Sequence, residues 1–408
     1  MKRRGLFYGL VIGLILLLTL VGDGAADTPV SGPITSDTTW TLANSPYIVT
    51  GNVLVMEGVT LTIEPGVTIK FESDKALQID GQLVAQGTEV KSIVFTSNQA
   101  PPTAGDWSYI LFSDTSTDAT YDGDGNYTRG SILEYCIVEY AGGATVSNNG
   151  AVRIDNSSPF INYSTVRSSA SNGIIVWNTG APKISNSTVS NNSGAGISIN
   201  SSGSVIITQS TISENSDSGI DLSGSGNFTL SDSTIDSNTA IGDGGAGGIS
   251  IIWATGIVNI SKATISNNAS HRGAGIYLSS ASNVIISNST IRNNSSSNAA
   301  GGIDVQYLTT LTISNSMIGN NSGAYGGGIH IDYGSNVDIS NSIIASNSAT
   351  GNGGGIAANQ YYGTYIGINL IMTNTIIASN IAGSAGGGIF ILLIVVVVYN
   401  QLLFPIVL

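Results

Sequence analysis

The 408-residue chain has a single cysteine, Cys136, so no internal disulfide can form and stability has to come from packing and hydrogen bonding. The run Leu133-Glu134-Tyr135-Cys136-Ile137-Val138 reads as strand, which makes the thiol a buried structural group rather than a nucleophile. Charge is scarce as well, with Asp, Glu, Lys and Arg making up only 10% of the residues. The 13 basic residues face 26 acidic ones, for a formal net charge of −13. Such a body repels nucleic acid and anionic membrane surfaces, and no basic stripe reverses this locally. No window shows the 3.6-residue apolar period of a helix. What is plentiful is Gly, Ser, Thr and Asn, punctuated by Ile and Val at regular positions. That regularity excludes disorder and fits short strands joined by tight turns.

The two ends stand apart. Lys2, Arg3 and Arg4, the apolar stretch Leu6 to Val21 and the small residues Gly24-Ala25-Ala26 have the pattern of an export signal, so residues 1–26 are expected to fall outside the fold. No cysteine follows the stretch, which argues against lipoprotein processing. Ile389 to Leu408 has the length of a membrane span, but Asn400, Gln401 and Pro405 interrupt it and no positive residue follows. Back-translating Val395 to Leu408 with a two-base shift allows the repeat motif to reappear. Residues 392–408 therefore read as a frameshifted or truncated tail, testable by resequencing the 3′ end of the gene.

Between the ends one motif recurs about nine times from Gly150 onward, the mark of a repeat array. It runs Gly-Ile-x-aliphatic, a polar turn, aliphatic-Ser-Asn-Ser-Thr-Ile-x-x-Asn, and a Gly-rich loop. Clear copies are Gly275-Ile276-Tyr277-Leu278 with Ile286-Ser287-Asn288-Ser289-Thr290-Ile291, and Gly328-Ile329-His330-Ile331 with Ile339-Ser340-Asn341-Ser342-Ile343-Ile344. Gly150, Gly173, Gly196 and Gly219 follow at 23-residue steps, and most later steps are 26 to 29 residues. Apolar and polar residues alternate, so each segment is a short strand with one buried face. One such unit cannot enclose a core, but stacked copies can. The expected fold is all-β: a single-stranded right-handed parallel β-helix, or β-solenoid, with three short strands per coil. Residues 27–145 form its cap and first irregular coils, and 146–391 the regular repeats.

Asn192, Asn215, Asn238, Asn268, Asn294, Asn321, Asn347 and Asn380 occupy one repeat position. Asn tolerates the left-handed backbone of a sharp corner, and its amide can bond along a stack. These residues are expected to form a structural ladder. Thr60 to Phe71 reads as two strands joined by Pro65-Gly66, the pair at the centre of a type II turn. The stretch around Trp40 is expected to cover the open end, since a bare terminal coil is an exposed edge.

The Thr60–Phe71 stretch, Gly105-Asp106-Trp107, and Leu133 to Gly143 resemble the opening coils of the pectate-lyase-like right-handed parallel β-helix proteins. The Gly-Gly-Gly-Ile and Ile-x-x-Asn repeats resemble those of surface β-helix proteins, including polymorphic outer-membrane adhesins. The resemblance covers about residues 45 to 390 and implies the fold. It does not choose a function, because this fold hosts lyases, hydrolases, epimerases and non-catalytic adhesins.

Stacking nominates one patch for chemistry. The outward position after Gly-Ile reads Ser198, Asp221, Ser250, Tyr277, Asp304 and His330 up successive coils. Two residues later come Asn200, Ser223, Ile252, Ser279, Gln306 and Asp332. Asp304, His330 and Asp332 are thus brought together as candidate catalytic residues, since two carboxylates beside an imidazole suit acid–base work or a metal. The competing reading is a set of solvated polar residues on the outer face of a strand. The signatures of pectinase-type enzymes are missing: Ser270-His271-Arg272-Gly273 is a loose echo of a hydrolase motif, with no Asp-Asp pair upstream. Arg153, Arg167, Lys183, Lys262, Arg272 and Arg292 fall at non-equivalent coil positions and do not build a polyuronate site. Asp122-Gly123-Asp124-Gly125-Asn126, with Asp114 and Asp118 before it, resembles the start of a calcium loop. Asp122, Asp124 and Asn126 are its candidate Ca²⁺ ligands, although the closing Glu is absent and an Asp-Gly hairpin turn is the default. Asn-x-Ser/Thr triplets such as Asn156, Asn186, Asn227 and Asn288 arise by composition and carry little weight.

The expected function is that of a secreted or cell-surface β-helix that is non-catalytic and serves adhesion, glycan binding or envelope structure. Its partner is an extracellular polysaccharide or surface glycan, with no nucleic acid and no membrane insertion of the mature helix. The alternative is a polysaccharide lyase or glycoside hydrolase working through Asp304, His330 and Asp332.

Overall fold

In the computed structural model the chain winds into a parallel β-helix, described over residues 27–242, 245–359 and 367–392. The proposed export signal and all but the first residue of the proposed tail lie outside the described residues. The alternation of β-branched and polar residues produces strands of three to five residues whose inward side chains are fully buried. A representative coil consists of Ile303–Gln306, Thr310–Ser314, Met317–Gly319 and the two-residue Ser322–Gly323. Each strand pairs in parallel with its counterpart in the next coil, namely Ile329–Ile331, Asn336–Ser340, Ile343–Ala345 and Ser348–Ala349. The three expected strands per coil are present. The fourth, found in six coils from Thr239–Ala240 to Ile381–Ala382, lies in the Gly-rich loop, where no apolar alternation announces it.

Identical register places like on like. Ile286 lies on Ile313 and Ile313 on Ile339, all without exposed surface. Burying one such side chain contributes roughly 1.5–3 kcal/mol, and every coil supplies several. The first coils follow the same rule. Thr60–Ile63 and Thr68–Phe71 are strands, and the turn between them has Gly66 at φ +88° with Val67 N–H donating to Glu64 O, as a type II turn requires. Trp40 is buried against Tyr47, ring centroids 4.9 Å apart. The cover extends further back than Trp40, because Thr28–Ile34 adds a parallel strand beside Tyr47–Val55. Cys136 is buried with Sγ 3.4 Å from Ala85 O, and burial pushes its thiol pKa up, which leaves it inert. Among the described residues no helix is long and apolar enough to cross a membrane.

The asparagine ladder forms as expected. Each Nδ2 donates to the next Oδ1, from Asn192 to Asn215 at 2.9 Å through Asn347 to Asn380 at 3.0 Å. The expectation erred on the backbone. The left-handed residue is the one before the ladder position, as in Asn293 at φ 56° and Asn320 at φ 55°, while the ladder asparagine itself is not left-handed. The reason is geometric: the corner residue turns outward, and the residue after it points its amide into the stack. A second left-handed corner falls at Asn288 and Asn315, φ 50° and 48°. The adjoining Ser289, Ser316 and Ser342 form another ladder, in which each hydroxyl accepts the backbone N–H of the coil before. The repeated Ser of Ser-Asn-Ser was its signal.

The repeat glycine is required by this ladder. A Cβ on Gly302 would lie 2.3 Å from Gly328 O and 3.1 Å from Asn321 Nδ2. Gly123, by contrast, has open space where its Cβ would be. Gly302→Ala is therefore expected to destabilise by at least about 3 kcal/mol, and Gly123→Ala to change stability by less than about 1 kcal/mol. Urea midpoints of the two variants test this; equal midpoints would refute the close-approach argument.

Candidate functional site

The outward column runs as read from the sequence: Ser198, Asp221, Ser250, Tyr277, Asp304, His330 and Ala357 are successive register partners. The solvated polar face expected for it does not extend along the column. From Ser250 to His330 every member is buried, with Asp304 at 0% and His330 at 6% exposure. The cause is the Gly-rich loops, which fold back over this sheet. A Cβ on Gly273 would stand 2.8 Å from Asp304 Cβ, and one on Gly326 would stand 2.7 Å from His330 N. Only backbone without side chains comes that close.

Under this cover Asp304 Oδ1 accepts from His330 Nδ1 at 2.8 Å, and Asp304 Oδ2 accepts from Gln306 Nε2 at 2.9 Å. Asp332, also buried, takes the backbone N–H of Tyr333 at Oδ1, and its charge acts on His330. Burial by itself draws the His330 pKa down. The Asp304 hydrogen bond and charge, with the Asp332 charge, outweigh it and leave the pKa raised above the ordinary value. The Asp304 bond fixes the proton on Nδ1 and leaves Nε2 as the atom available for chemistry. Nε2 is buried and has no hydrogen-bond partner, and the Tyr325 ring lies 6.3 Å from the imidazole. A base must come within hydrogen-bond reach of the proton it takes, so this dyad works only if the loop bearing Tyr325 moves.

The proposed calcium ligands Asp122, Asp124 and Asn126 lie together in one turn. Thr120–Tyr121 and Tyr127–Arg129 form an antiparallel hairpin around them. Asp122 Oδ1 accepts from the N–H groups of Asp124 and Asn126 at 3.0 and 2.9 Å, and Oδ2 accepts from Asn126 Nδ2 at 3.1 Å. That is a hairpin turn on Asp-Gly. Among the described residues no three His, Cys, Asp or Glu side chains converge as a metal site. Of the basic residues, Arg167 and Arg292 share one register column after all, five coils apart through Ser190, Ser213, Asp236 and Ser266. Arg167 is spent on Glu139 at 2.7 Å.

Two open hollows were not foreseen. One of about 310 Å³ is lined by Ser216, Asp217, Ser218 and Asp221. Burial and the neighbouring Asp217 charge hold the Asp221 carboxyl above its ordinary range. The other, of about 330 Å³, is lined by Asn148, Trp177, Asn178, Asn200 and Ser202. Its signal in the sequence was an arginine and a tryptophan at outward positions of adjacent coils, Arg153 and Trp177.

These coils match a family model described as a right handed beta helix region over residues 172–344 and 247–392. The chain belongs to the right-handed β-helix family. A second family model, described as a pectate-lyase like beta helix domain, matches residues 32–154, which hold the irregular first coils. Similar solved structures include two mutant forms of the periplasmic alginate epimerase AlgG. The single mutant has a TM-score of 0.52 at 11% identity, covering 90% of this chain and 85% of the other. The double mutant has 0.50 at 12%, covering 91% and 85%. At such identity the likeness concerns the fold alone. A stretch of 66 residues is 46% identical to protein bark beetle of Drosophila melanogaster, and it amounts to 16% of this β-helix chain and 2% of that protein.

The dyad makes a signed prediction for the β-helix. A histidine whose folded pKa is raised contributes stability that is fully present below its unfolded pKa, about 6.5, and is lost as pH rises through the folded value. Thermal midpoints are expected to fall from pH 6.5 upward in the wild type, and His330→Gln is expected to flatten that slope. An unchanged slope in the variant would show that His330 is not the titrating group.

Proposed function

We propose that this β-helix is an exported, non-catalytic protein of the cell surface or extracellular space that binds glycan along its outer face, for adhesion or envelope structure. The observation carrying this reading is the sealed His330 Nε2: the imidazole–carboxylate dyad is covered, while one accessible hollow presents amides, hydroxyls and an indole and the other presents hydroxyls and the carboxyl groups of Asp217 and Asp221. Such surfaces orient sugar hydroxyls without reacting with them. The charge pattern of residues 1–26 supports export.

One observation favours a second reading, a polysaccharide lyase or glycoside hydrolase. The 2.8 Å Asp304–His330 bond orients the imidazole and leaves Nε2 without a partner, so the ring could exchange a proton at that atom. Loop opening would be the price of its activity. Incubation with a panel of polysaccharides, with and without Ca²⁺, separates the two. Retention of a glycan with no new reducing or unsaturated ends is the expected result. Cleavage that disappears in a folded Asp304→Asn variant would establish the enzyme instead.

A further inference from the structure

We propose that the hollow beside Trp177 is a subsite for an uncharged sugar of an extracellular glycan. This rests on the glycan-binding reading above and narrows it to one place and one ligand class. Trp177 lies near the end of the strand Asn172–Asn178, where its neighbour Val176 points inward and is buried, so the indole stands outward and half-buried. Its register partners are Asp155 in the coil before and Asn200 in the coil after. Arg153 approaches from the coil before, with its guanidinium 4.4 Å from the Tyr109 ring centre and 5.2 Å from that of Trp177. The hollow opens toward the coils after, where Asn200, Ser202 and Ser225 line it. The indole is therefore held by a cation–π stack on one side and left accessible on the other.

The volume, about 330 Å³, is at the lower end of ligand pockets and suits one or two sugar rings. An indole face attracts the C–H edges of such a ring, while the Asn200 amide and the serine hydroxyls meet its hydroxyl groups.

Charge decides the class of sugar. The cation over the indole has donors turned elsewhere: Arg153 Nε donates to Asn148 O at 2.9 Å and a terminal nitrogen donates to Ser147 O at 3.1 Å. The nearby Asp155 carboxylate accepts from Asn178 Nδ2 at 2.7 Å. Asp221 stands one coil beyond Ser198, and with Asp217 it lines the neighbouring hollow. The raised Asp221 pKa is what burial and a second carboxylate produce where no cation compensates. A uronate would bring its carboxylate toward these acids while the Arg153 nitrogens Nε and Nη2 are already turned to Asn148 O and Ser147 O, whereas a neutral hexose meets no such repulsion.

The test measures binding of neutral hexasaccharides (cellohexaose, mannohexaose and chitohexaose) and of hexagalacturonate to the full chain and to three variants, by calorimetry and tryptophan fluorescence. At least one neutral hexasaccharide is expected to bind, with hexagalacturonate weaker by about tenfold or more. Trp177→Ala should weaken the neutral ligand by about tenfold or more, and Trp177→Phe should retain it within about threefold. Asn200→Arg, at an exposed position, should fill the hollow and shift preference toward the uronate. This variant keeps the test decisive if Trp177→Ala fails to fold. Neutral binding indifferent to Trp177 and Asn200 would overturn the subsite. Hexagalacturonate binding as tightly through Trp177 would overturn the ligand class; in both cases the general glycan reading stands. Binding of neither class would overturn that reading and the subsite with it.

Discussion

A buried carboxamide has two donors and two acceptor lone pairs to satisfy, and in this protein the neighbouring coils satisfy them. Asn294 Nδ2 donates to Ile265 O and to Asn321 Oδ1, both at 3.0 Å, while its Oδ1 accepts the backbone N–H and the Nδ2 of Asn268 at the same distance. Its own backbone N–H reaches Asn321 Oδ1. Each unmade bond in such a place costs about 1–3 kcal/mol, so the ladder fixes how far apart and in what register successive coils lie. The isoleucine columns then fall on one another inside, and the corner beside the amide has room only for glycine.

Fixing this corner leaves the loop that follows it free to vary in length. The 23-residue spacing of the early ladder, Asn192 to Asn215 to Asn238, lengthens to 26 or more later, as from Asn268 to Asn294. The added residues are mostly Gly-rich loop, and that loop folds over the first sheet. Where it is short, outward residues such as Ser198 and Trp177 stay open to solvent. Where it is long, it covers Tyr277, Asp304 and His330. Loop length therefore decides where this outward column is open and where it is covered, and the proposal of binding rather than catalysis rests on that difference.

Strand alternation, the repeat and the ladder were legible because each is a periodic consequence of stacking, and the register columns followed from counting. The alignment of Asp304 with His330 was readable for the same reason. Their burial was not: the glycines recur, as at Gly326, Gly353 and Gly386, but their recurrence does not say over which face the loop folds. The left-handed corner was misplaced by one residue since Asn fills both positions in several coils, as in Asn293-Asn294 and Asn320-Asn321. Coils with Glu214 or Ser237 before the ladder residue held the distinction. The Trp177 hollow escaped notice because its tryptophan and arginine come from different coils and meet only once the register is fixed.

If the amide ladder couples coils to their nearest neighbours, damage to one rung should stay local. Native-state hydrogen exchange of Asn294→Ala, resolved along the chain by mass spectrometry, measures this directly. The account predicts faster exchange confined to the coils bearing Asn268, Asn294 and Asn321, with the first coils around Phe71 and Phe95 unchanged. Uniformly faster exchange from end to end, or no change at all, would contradict it.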